Sequence, residues 1–416
     1  MEAEALAEDR AFVPALESVD RARRRGEPEW LAARRREARE RFAKLGFPTA
    51  KLEEWRTTNV GPILSTPWQP PEPGAAPAVR AAPGGPGVRV LSLSEALAQE
   101  PELLERTLGR IARDENAAFA ALNLALAEDV VCVLIAPGAA AAAPIEIAFD
   151  APTSREPAVL YPRCLIVAGD RSEAAVVERH AGAGAYFRNA VTEIAVGEGA
   201  VLRHYKVQRE SLEAFHLQAI GVRQARASHF TSVHAAFGGA LARTDIRADL
   251  DGEGSECILD GLFVGAGSQH LDTHTTIVHV APHTTSREVY KGVLDGRARG
   301  VFHGRIVVRP GAQKTDAMQT NKNLLLSRES LVDSTPALEI FADDVKCKHG
   351  STIGQLDAAA LFYLRSRGIG EREARAMLTR AFAADVAGRV ALPALRAEIE
   401  ETLDRSLSDA ARKEPS

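Results

Sequence analysis

The chain has 416 residues, and 51 Lys plus Arg set against 56 Asp plus Glu leave a formal charge of -5. Such a balance argues against a surface built throughout to neutralise phosphates or to coat anionic membranes. Hydrophobic residues at 45% and charged residues at 26% are ordinary globular values, which excludes chain-wide disorder. The length allows two or three domains, or one elongated β architecture that absorbs most of it. Cys132, Cys164, Cys257 and Cys347 are too scattered to form a CxxC pair or a dense disulfide framework. The opening MEAEALAEDRAFVPALESVD has no basic start followed by an apolar run, and no apolar stretch of about 18 residues occurs anywhere. A soluble, cytoplasmic protein in a reducing setting is the expectation.

Residues 1–65 read as an N-terminal helical region in which Trp30, Phe42 and Leu45 sit among many charges and Gly46 with Pro48 signals a stop. Within it RARRRGEPEWLAARRREARERF is basic but interleaved with glutamates, which suits a solvated helix face better than a nucleic-acid patch. Residues 66–87 are a Pro/Gly-rich linker, and residues 88–129 an αβ connecting segment.

From 130 to 354 short alternating runs such as LIVAGD, AAVVERH and GRIVVRPG are bounded by Gly, Asp and Pro, the mark of strands. Turn signals at Gly169-Asp170, Gly197-Glu198-Gly199, Gly252-Glu253-Gly254, Pro282-His283 and Pro310-Gly311 recur at about 28 residues or twice that, a solenoid period. Units of two or three strands stacking in parallel make a parallel β-helix. A β-sandwich also fits alternating strands; the repeat favours the solenoid. Residues 355–416 return to helix: Asp357 suits an N-cap and Gly368 a C-terminal stop, EREARAMLTRAFAADV forms a second helix, and Pro393 opens a third. The final DAARKEPS reads as a frayed tail.

Three constellations are candidates for chemistry. His270, Asp272 and His274 share one strand face, with His279 and His283 close behind, a conceivable metal arrangement that more often forms hydrogen-bonded ladders. Gln319, Asn321 and Asn323 also share a face, and buried amides of this kind bond to neighbouring rungs. Cys347 and His349 alternate at i and i+2, flanked on the opposite face by Lys346 and Lys348, whose charge would modestly favour a thiolate. Thiolate and imidazole suit iron or zinc, but two ligands cannot close a tetrahedral site. No GxxxxGK[ST] loop and no GxSxG elbow occurs, so nucleotide hydrolases and serine hydrolases lose their usual anchors.

The long stretch GRIVVRPGAQKTDAMQTNKNLLLSRESLVDSTPALEIFADDVKCKHGSTIGQLDAAALFYLRSRGI resembles the SufB/SufD family of iron–sulfur cluster assembly proteins. KLEEWRTTNV at 51–60, FAALNLALAEDVVCVLIAPGA and REVYKGVLDGRARGVFHGRI extend the resemblance over most of the chain beyond residue 50. CKHGST resembles the SufD branch, since the SufB branch carries an HEA-type segment there.

The resemblance implies a mainly β fold, a right-handed parallel β-helix flanked by N- and C-terminal α-helical domains. It implies a SufD-type scaffold subunit, not an enzyme, that pairs with SufB through the β-helices and binds the SufC ATPase through the C-terminal helices. Its role would be iron acquisition and de novo cluster assembly, with sulfur from a cysteine desulfurase system. Cys347 and His349, with His349 the favoured assignment of the two, would hold iron or a nascent cluster shared with SufB. Tyr363, Arg365 and Arg367 would face SufC, nearer the surface than Leu361 and Phe362. Nothing would be tightly bound to the isolated chain; flavin in the complex and a homodimer in the absence of SufB stay open. The competing reading is a β-helix enzyme, metal-dependent or carbohydrate-active, using the His270–His283 cluster.

Overall fold

The computed structural model describes residues 27–69, 78–82, 85–112, 117–128, 130–151 and 157–413. The helical expectation over 1–26, the linker over 70–77 and 83–84, and the end of the tail at 414–416 lie outside the described residues.

The N-terminal region comprises α1 (Glu29–Leu45), a single 3-10 turn at Glu53–Trp55, α2 (Gly61–Leu64), α3 (Leu93–Gln99), α4 (Pro101–Thr107) and α5 (Ala118–Leu126). Two short strands, β1 (Ala78–Ala82) and β2 (Val88–Leu91), lie among them. Helix α1 ends at Gly46, whose φ of 63° turns the chain as its N–H bonds Phe42 O. Helix α3 begins with a capping box between Ser92 and Glu95. The basic run on α1 is not wholly solvated. Arg34 is buried and donates to Leu108 O at 2.5 Å and Glu105 O at 2.7 Å, and Arg35 donates to Leu124 O and Ala127 O, each at 2.9 Å. Carbonyls at the ends of α4 and α5 have no partner within their own helices, and these guanidinium groups supply one.

The solenoid is built from β3 (Val130–Ile135), β4 (Ile145–Asp150), β5 (Ala158–Leu160), β6 (Arg163–Ala168), β7 (Glu173–Gly182), β8 (Tyr186–Val196), β9 (Val201–Glu210), β10 (Phe215–Gln224), β11 (His229–Ala236), β12 (Leu241–Leu250), β13 (Glu256–Gly265), β14 (His270–His279), β15 (Thr285–Leu294), β16 (Arg299–Val308), β17 (Asp316–Leu325), β18 (Leu331–Ile340) and β19 (Lys346–Gly354). Strands alternate between two sheets. The first runs β1-β4-β7-β9-β11-β13-β15-β17-β19, and the second β18-β16-β14-β12-β10-β8-β6-β3-β2, with β5 beside β8. From β3 and β4 onward every pairing is parallel, so the alternation belongs to a solenoid and not to a sandwich. His204 and Ser232, stacked on successive rungs, are 28 residues apart, and Glu288 and Gln319 are 31 apart.

Each rung turns at a left-handed residue: Arg171, Ala227, His283 and Lys314 have φ of 54°, 53°, 57° and 61°, and Gly199 and Gly254 take the same place with φ of 63° and 70°. The inward faces pack Ile147, Val176, Leu202, Ile220, Ile246, Leu259 and Ile277 into one core. The N-terminal region covers the outer face of the second sheet, where Phe42, Trp55, Phe119 and Leu122 meet Phe187, Leu217 and Leu241. Its attachment includes Glu193, whose carboxylate accepts from the backbone N–H of Gly109, Ile111 and Ala112 and from Arg163.

The C-terminal helices α6 (Ala358–Ser366), α7 (Glu371–Ala387) and α8 (Pro393–Lys413) follow β19. Val386, Val390, Leu395, Ile399 and Leu403 cover Val177, Tyr205, Val233 and Leu262 on the outer face of the first sheet. Ion pairs from Lys291 to Asp385 at 3.0 Å and from Arg389 to Asp260 at 3.2 Å tie α7 and the turn after it to the same face. Among the described residues no helix is long and apolar enough to cross a membrane.

The rung corners give a direct test of the backbone argument. A Cβ at Gly254 meets nothing within 4 Å, so Gly254→Ala carries only the left-handed penalty and lowers stability by about 1 kcal/mol in urea unfolding. Ala227→Gly, at the equivalent corner, relieves that penalty and raises stability by roughly 0.5 kcal/mol after the added chain entropy.

Candidate functional site

The two ends of the solenoid are finished differently. At the N-terminal end the outermost strands are antiparallel to their neighbours and short, 5 residues in β1 and 4 in β2. At the C-terminal end the outermost strands are β18 with 10 residues and β19 with 9, each parallel to its one ladder partner. Long edge strands offer a row of unpaired N–H and C=O groups to any incoming strand. Around them Leu331 and Phe341 are 58% exposed and Ile353 52%, with Met318 and Ile340 also uncovered. Apolar surface gathered beside an open sheet edge marks a contact surface.

Cys347 and His349 lie on β19, opposite Ala317 and Gln319 of β17. Being two residues apart on a strand, their side chains leave the same face with Cα atoms roughly 6.6 Å apart. Cys347 is half-buried and packs with Leu338 and Val345 against Ile306, Ala312 and Ala317. Burial pushes its thiol pKa up, the nearby Asp316 carboxylate adds to this, and a backbone hydrogen bond involving Ala317 offsets only part. The thiolate expected from Lys346 and Lys348 is therefore corrected: both lysines point to solvent on the other face, and burial decides. His349 is exposed, and its ring has no hydrogen bond among the described residues. Among those residues no group of three or more His, Cys, Asp or Glu side chains converges as a metal site. The chain thus presents one thiol and one imidazole on an open edge.

Behind His349 a polar column runs into the solenoid. His349, Gln319 and Glu288 stack on β19, β17 and β15, and Gln319 donates to the Glu288 carboxylate at 2.6 Å. Asn321 donates to Tyr290 O at 3.2 Å, Asn323 donates to Asn321 Oδ1 at 2.5 Å, and Ser334 of β18 donates to the same oxygen at 2.7 Å. Gln319 and Asn321 thus bond across rungs, as buried amides of this kind do, while Asn323 bonds along its own strand.

Farther back lies a denser cluster that the pattern of the chain does not single out. The buried Glu178 carboxylate meets His180 Nε2 at 2.6 Å and His204 Nε2 at 3.2 Å and accepts from Thr192 and Gln218. Although burial alone would raise its pKa, the two histidines hold Glu178 well below the carboxylate range. Glu210 pairs with Arg188 at 3.2 Å and His216 Nδ1 at 2.8 Å, while Lys206 Nζ donates to His216 Nε2 at 3.1 Å and Thr244 at 2.8 Å. Burial lowers Lys206 to about 7. Beside it Gln208, His216, His234, Thr244 and Thr273 leave essentially no open volume, so the cluster is a filled ladder. A signal was present in the i, i+2 spacing of Glu178–His180 and Lys206–Gln208–Glu210. The same alternation reads as an outward face, so the sequence does not say which side is inside.

The histidine group on β14 and after it is not convergent. His270 contacts Thr58 Oγ1 at 2.9 Å, and Asp272 accepts from Thr58 at 2.5 Å, pairs with Arg243 at 3.1 Å and faces His274 at 3.0 Å. His279 turns inward to Thr284 and Ser286, and His283 sits exposed at a rung corner. These contacts hold the N-terminal segment against the second sheet and leave the enzyme alternative without a ligand set among the described residues.

On α6 the Asp357 side chain caps the backbone N–H of Ala359 and Ala360, and no residue of the helix is buried. Phe362 is 75% exposed, more than Tyr363 at 55%, which corrects the expectation that Phe362 lies deeper. Arg365 pairs with Glu371 at 3.3 Å, and the Arg367 guanidinium lies 5.2 Å from the Tyr363 ring centre.

The column behind His349 has a pH signature. Burial raises the Glu288 carboxyl to about 7 from 4.5, so between those values the folded chain holds a proton that the unfolded chain has released. Stability from this group is complete below about pH 4.5 and is lost as pH rises toward 7, with a slope of at most about 1.4 kcal/mol per pH unit. Glu288→Gln keeps the neutral shape, and urea unfolding from pH 5 to 8 should show a flatter dependence than wild type.

Residues 151–382 match the family model described as "SUF system FeS cluster assembly, SufBD core domain", and residues 79–147 match "SufBD protein N-terminal region". An iron–sulfur cluster assembly SufBD family protein of Synechocystis is 32% identical over 314 residues, 73% of this chain and 69% of the relative. The iron–sulfur cluster assembly protein SufD of Escherichia coli is 34% identical over 58% of this chain and 57% of its own length. SufD of Bacillus subtilis is 26% identical over 60% and 58% respectively. With a parallel solenoid core and a core-domain match spanning more than half its length, the chain belongs to the SufBD family of iron–sulfur cluster assembly proteins.

Proposed function

We propose that this chain is the SufD subunit of a cytoplasmic SufB–SufC–SufD scaffold, adding the last turn of its solenoid to that of SufB and presenting Cys347 and His349 to iron or a nascent cluster at the junction. The observation that carries this reading is the open C-terminal end, where two long edge strands, exposed apolar side chains and an unpartnered imidazole occur together. A partner strand beside β19 would satisfy its free backbone groups and cover Ile353. It would also bring the remaining ligands that a thiol and an imidazole lack. Iron and sulfide are cargo in this account. Because burial holds Cys347 as a thiol, iron loading releases its proton, and the site becomes a better ligand only when metal arrives.

The subunit itself performs no covalent chemistry in this reading; ATP hydrolysis falls to SufC. The surface proposed for SufC is α6, with Tyr363, Arg365 and Arg367 joined by Phe362, because its aromatic and Arg content is uncovered and capped into a stable helix.

Two measurements test it. With SufB and SufC co-expressed, His349→Ala should leave co-purification intact while anaerobic iron and sulfide reconstitution yields several-fold less cluster; an unchanged yield rejects the site. Helices α7 and α8 bury apolar surface on the solenoid, so the SufC surface is tested by Phe362→Asp and not by truncation. That variant should keep SufB and the wild-type melting temperature but lose SufC, and retained SufC rejects the surface.

A further inference from the structure

A cavity of about 490 Å³ lies between the outer face of the second sheet and the N-terminal region, away from Cys347 and His349. Its floor is laid out by strand register. Asp245, His274, His303 and Thr335 stand side by side on β12, β14, β16 and β18, and the next row is Arg247, Thr276, Arg305 and Ala337. Leu52, Trp55, Ile111 and Phe119 contribute apolar wall.

The inner part of the floor is already satisfied. Arg243 donates to Asp245 at 2.7 Å and Glu54 O at 2.6 Å, pairs with Asp272 and lies 3.8 Å from the Trp55 ring centre. The outer part is not. The His303, Thr276 and Thr335 side chains make no hydrogen bond among the described residues. Arg305 has only Glu339, at 3.6 Å, and Arg247 gives Nε and Nη2 to Asp249 at 3.2 and 2.9 Å, which leaves Nη1. The acids thus occupy part of each guanidinium, and strand register places Thr276 between Arg247 and Arg305 in the same row.

The His303 ring stacks on His274 with centres 5.0 Å apart and planes 26° apart. Burial, helped by the neighbouring His274 ring and Arg305, lowers the His303 pKa, which favours the neutral form of the ring that faces the cavity. Rows on adjacent strands repeat at about 4.8 Å, so the stack can be continued over Thr335 by one more flat ring. Two guanidinium edges flanking a hydroxyl suit an oxyanion. The volume falls within the range of about 300–1,000 Å³ usual for small-molecule sites.

We propose that this cavity binds a small anion built on a flat aromatic ring, with the ring stacked on His303 and the oxyanion held by Arg247, Thr276 and Arg305. The proposal is independent of the partner reading and is tested on the full chain alone. Calorimetric titration would use adenosine monophosphate and nicotinate, which combine a ring with a phosphate or a carboxylate, against inorganic phosphate and adenosine as half-ligands. At least one of the two complete probes should bind about tenfold or more tightly than either half-ligand, and which one does identifies the head group.

His303→Leu and Arg305→Gln should each weaken that binding by about tenfold or more, whereas Arg309→Gln, at an exposed position just past the end of β16, should not. Should either variant melt early, His303 imidazole proton shifts in the wild-type chain during titration give the same answer. Failure of both complete probes to bind at millimolar concentration, binding that survives both variants, or titration without movement of the His303 signals overturns the proposal.

Discussion

Every interior strand of a solenoid takes its backbone hydrogen bonds from the rung before and the rung after, so the chain must do something at each end where a neighbour is missing. Unmet buried backbone groups cost about as much as the hydrogen bonds they forgo, and a long open edge invites association. Here the N-terminal end is closed with short antiparallel strands, while β18 and β19 are left at nearly full length. That asymmetry organises the molecule. Helical regions cover the outer faces of both sheets, through Phe42, Trp55 and Phe119 on one side and Val386, Leu395 and Leu403 on the other. What remains uncovered is the C-terminal end, where apolar side chains are exposed, His349 reaches the surface and Cys347 is half-buried beneath it.

The interior explains how that end stays in register. Toward β19 the interior carries Glu288, Gln319, Asn321 and Ser334 beside aliphatic side chains such as Ile306 and Val308; Gln319 and Asn321 bond to the preceding rung, and Ser334 bonds to Asn321 across the two sheets. Polar ladders bond only when the rungs are correctly aligned, so they specify the strand positions that a uniformly greasy core would leave free to slip. Ion pairs from α7 and the segment after it to β13 and β15 secure the C-terminal helices to the sheet whose edge is β19. Helix α6, the proposed SufC surface, follows β19 with its proposed cluster ligands and precedes the anchored α7.

Much of this was legible in the residues because it rests on local rules. The turn repeat gave the solenoid, the spacing of Gln319 and Asn321 gave amides bonded to the next rung, with Asn323 bonding along the strand instead, and Asp357 and Gly368 bracketed a helix. Cys347 and His349 were legible as a pair on one face of a strand. What stayed hidden depends on which face of a strand is inside. Glu178, His180, Lys206 and Glu210 alternate as a solvated face would, yet they pack against one another in the interior. Arg34 and Arg35 read as surface charge, and only the tertiary position of α4 and α5 shows that they cap carbonyls. Phe362 reads as core and is uncovered, because α6 has no face against the solenoid that buries a residue. The floor of the cavity around His303 is assembled from rows on four strands, and no linear motif carries it.

The central claim is that β18 and β19 are the edges a partner solenoid completes. Hydrogen–deuterium exchange on the chain with and without SufB tests this most directly. Amides in 331–340 and 346–354 that exchange quickly in the isolated chain should become slow in the complex, while the N-terminal strands β1 and β2 remain as they were. Protection at β1 and β2, or on the outer sheet faces, with the C-terminal edges unchanged, would contradict the account.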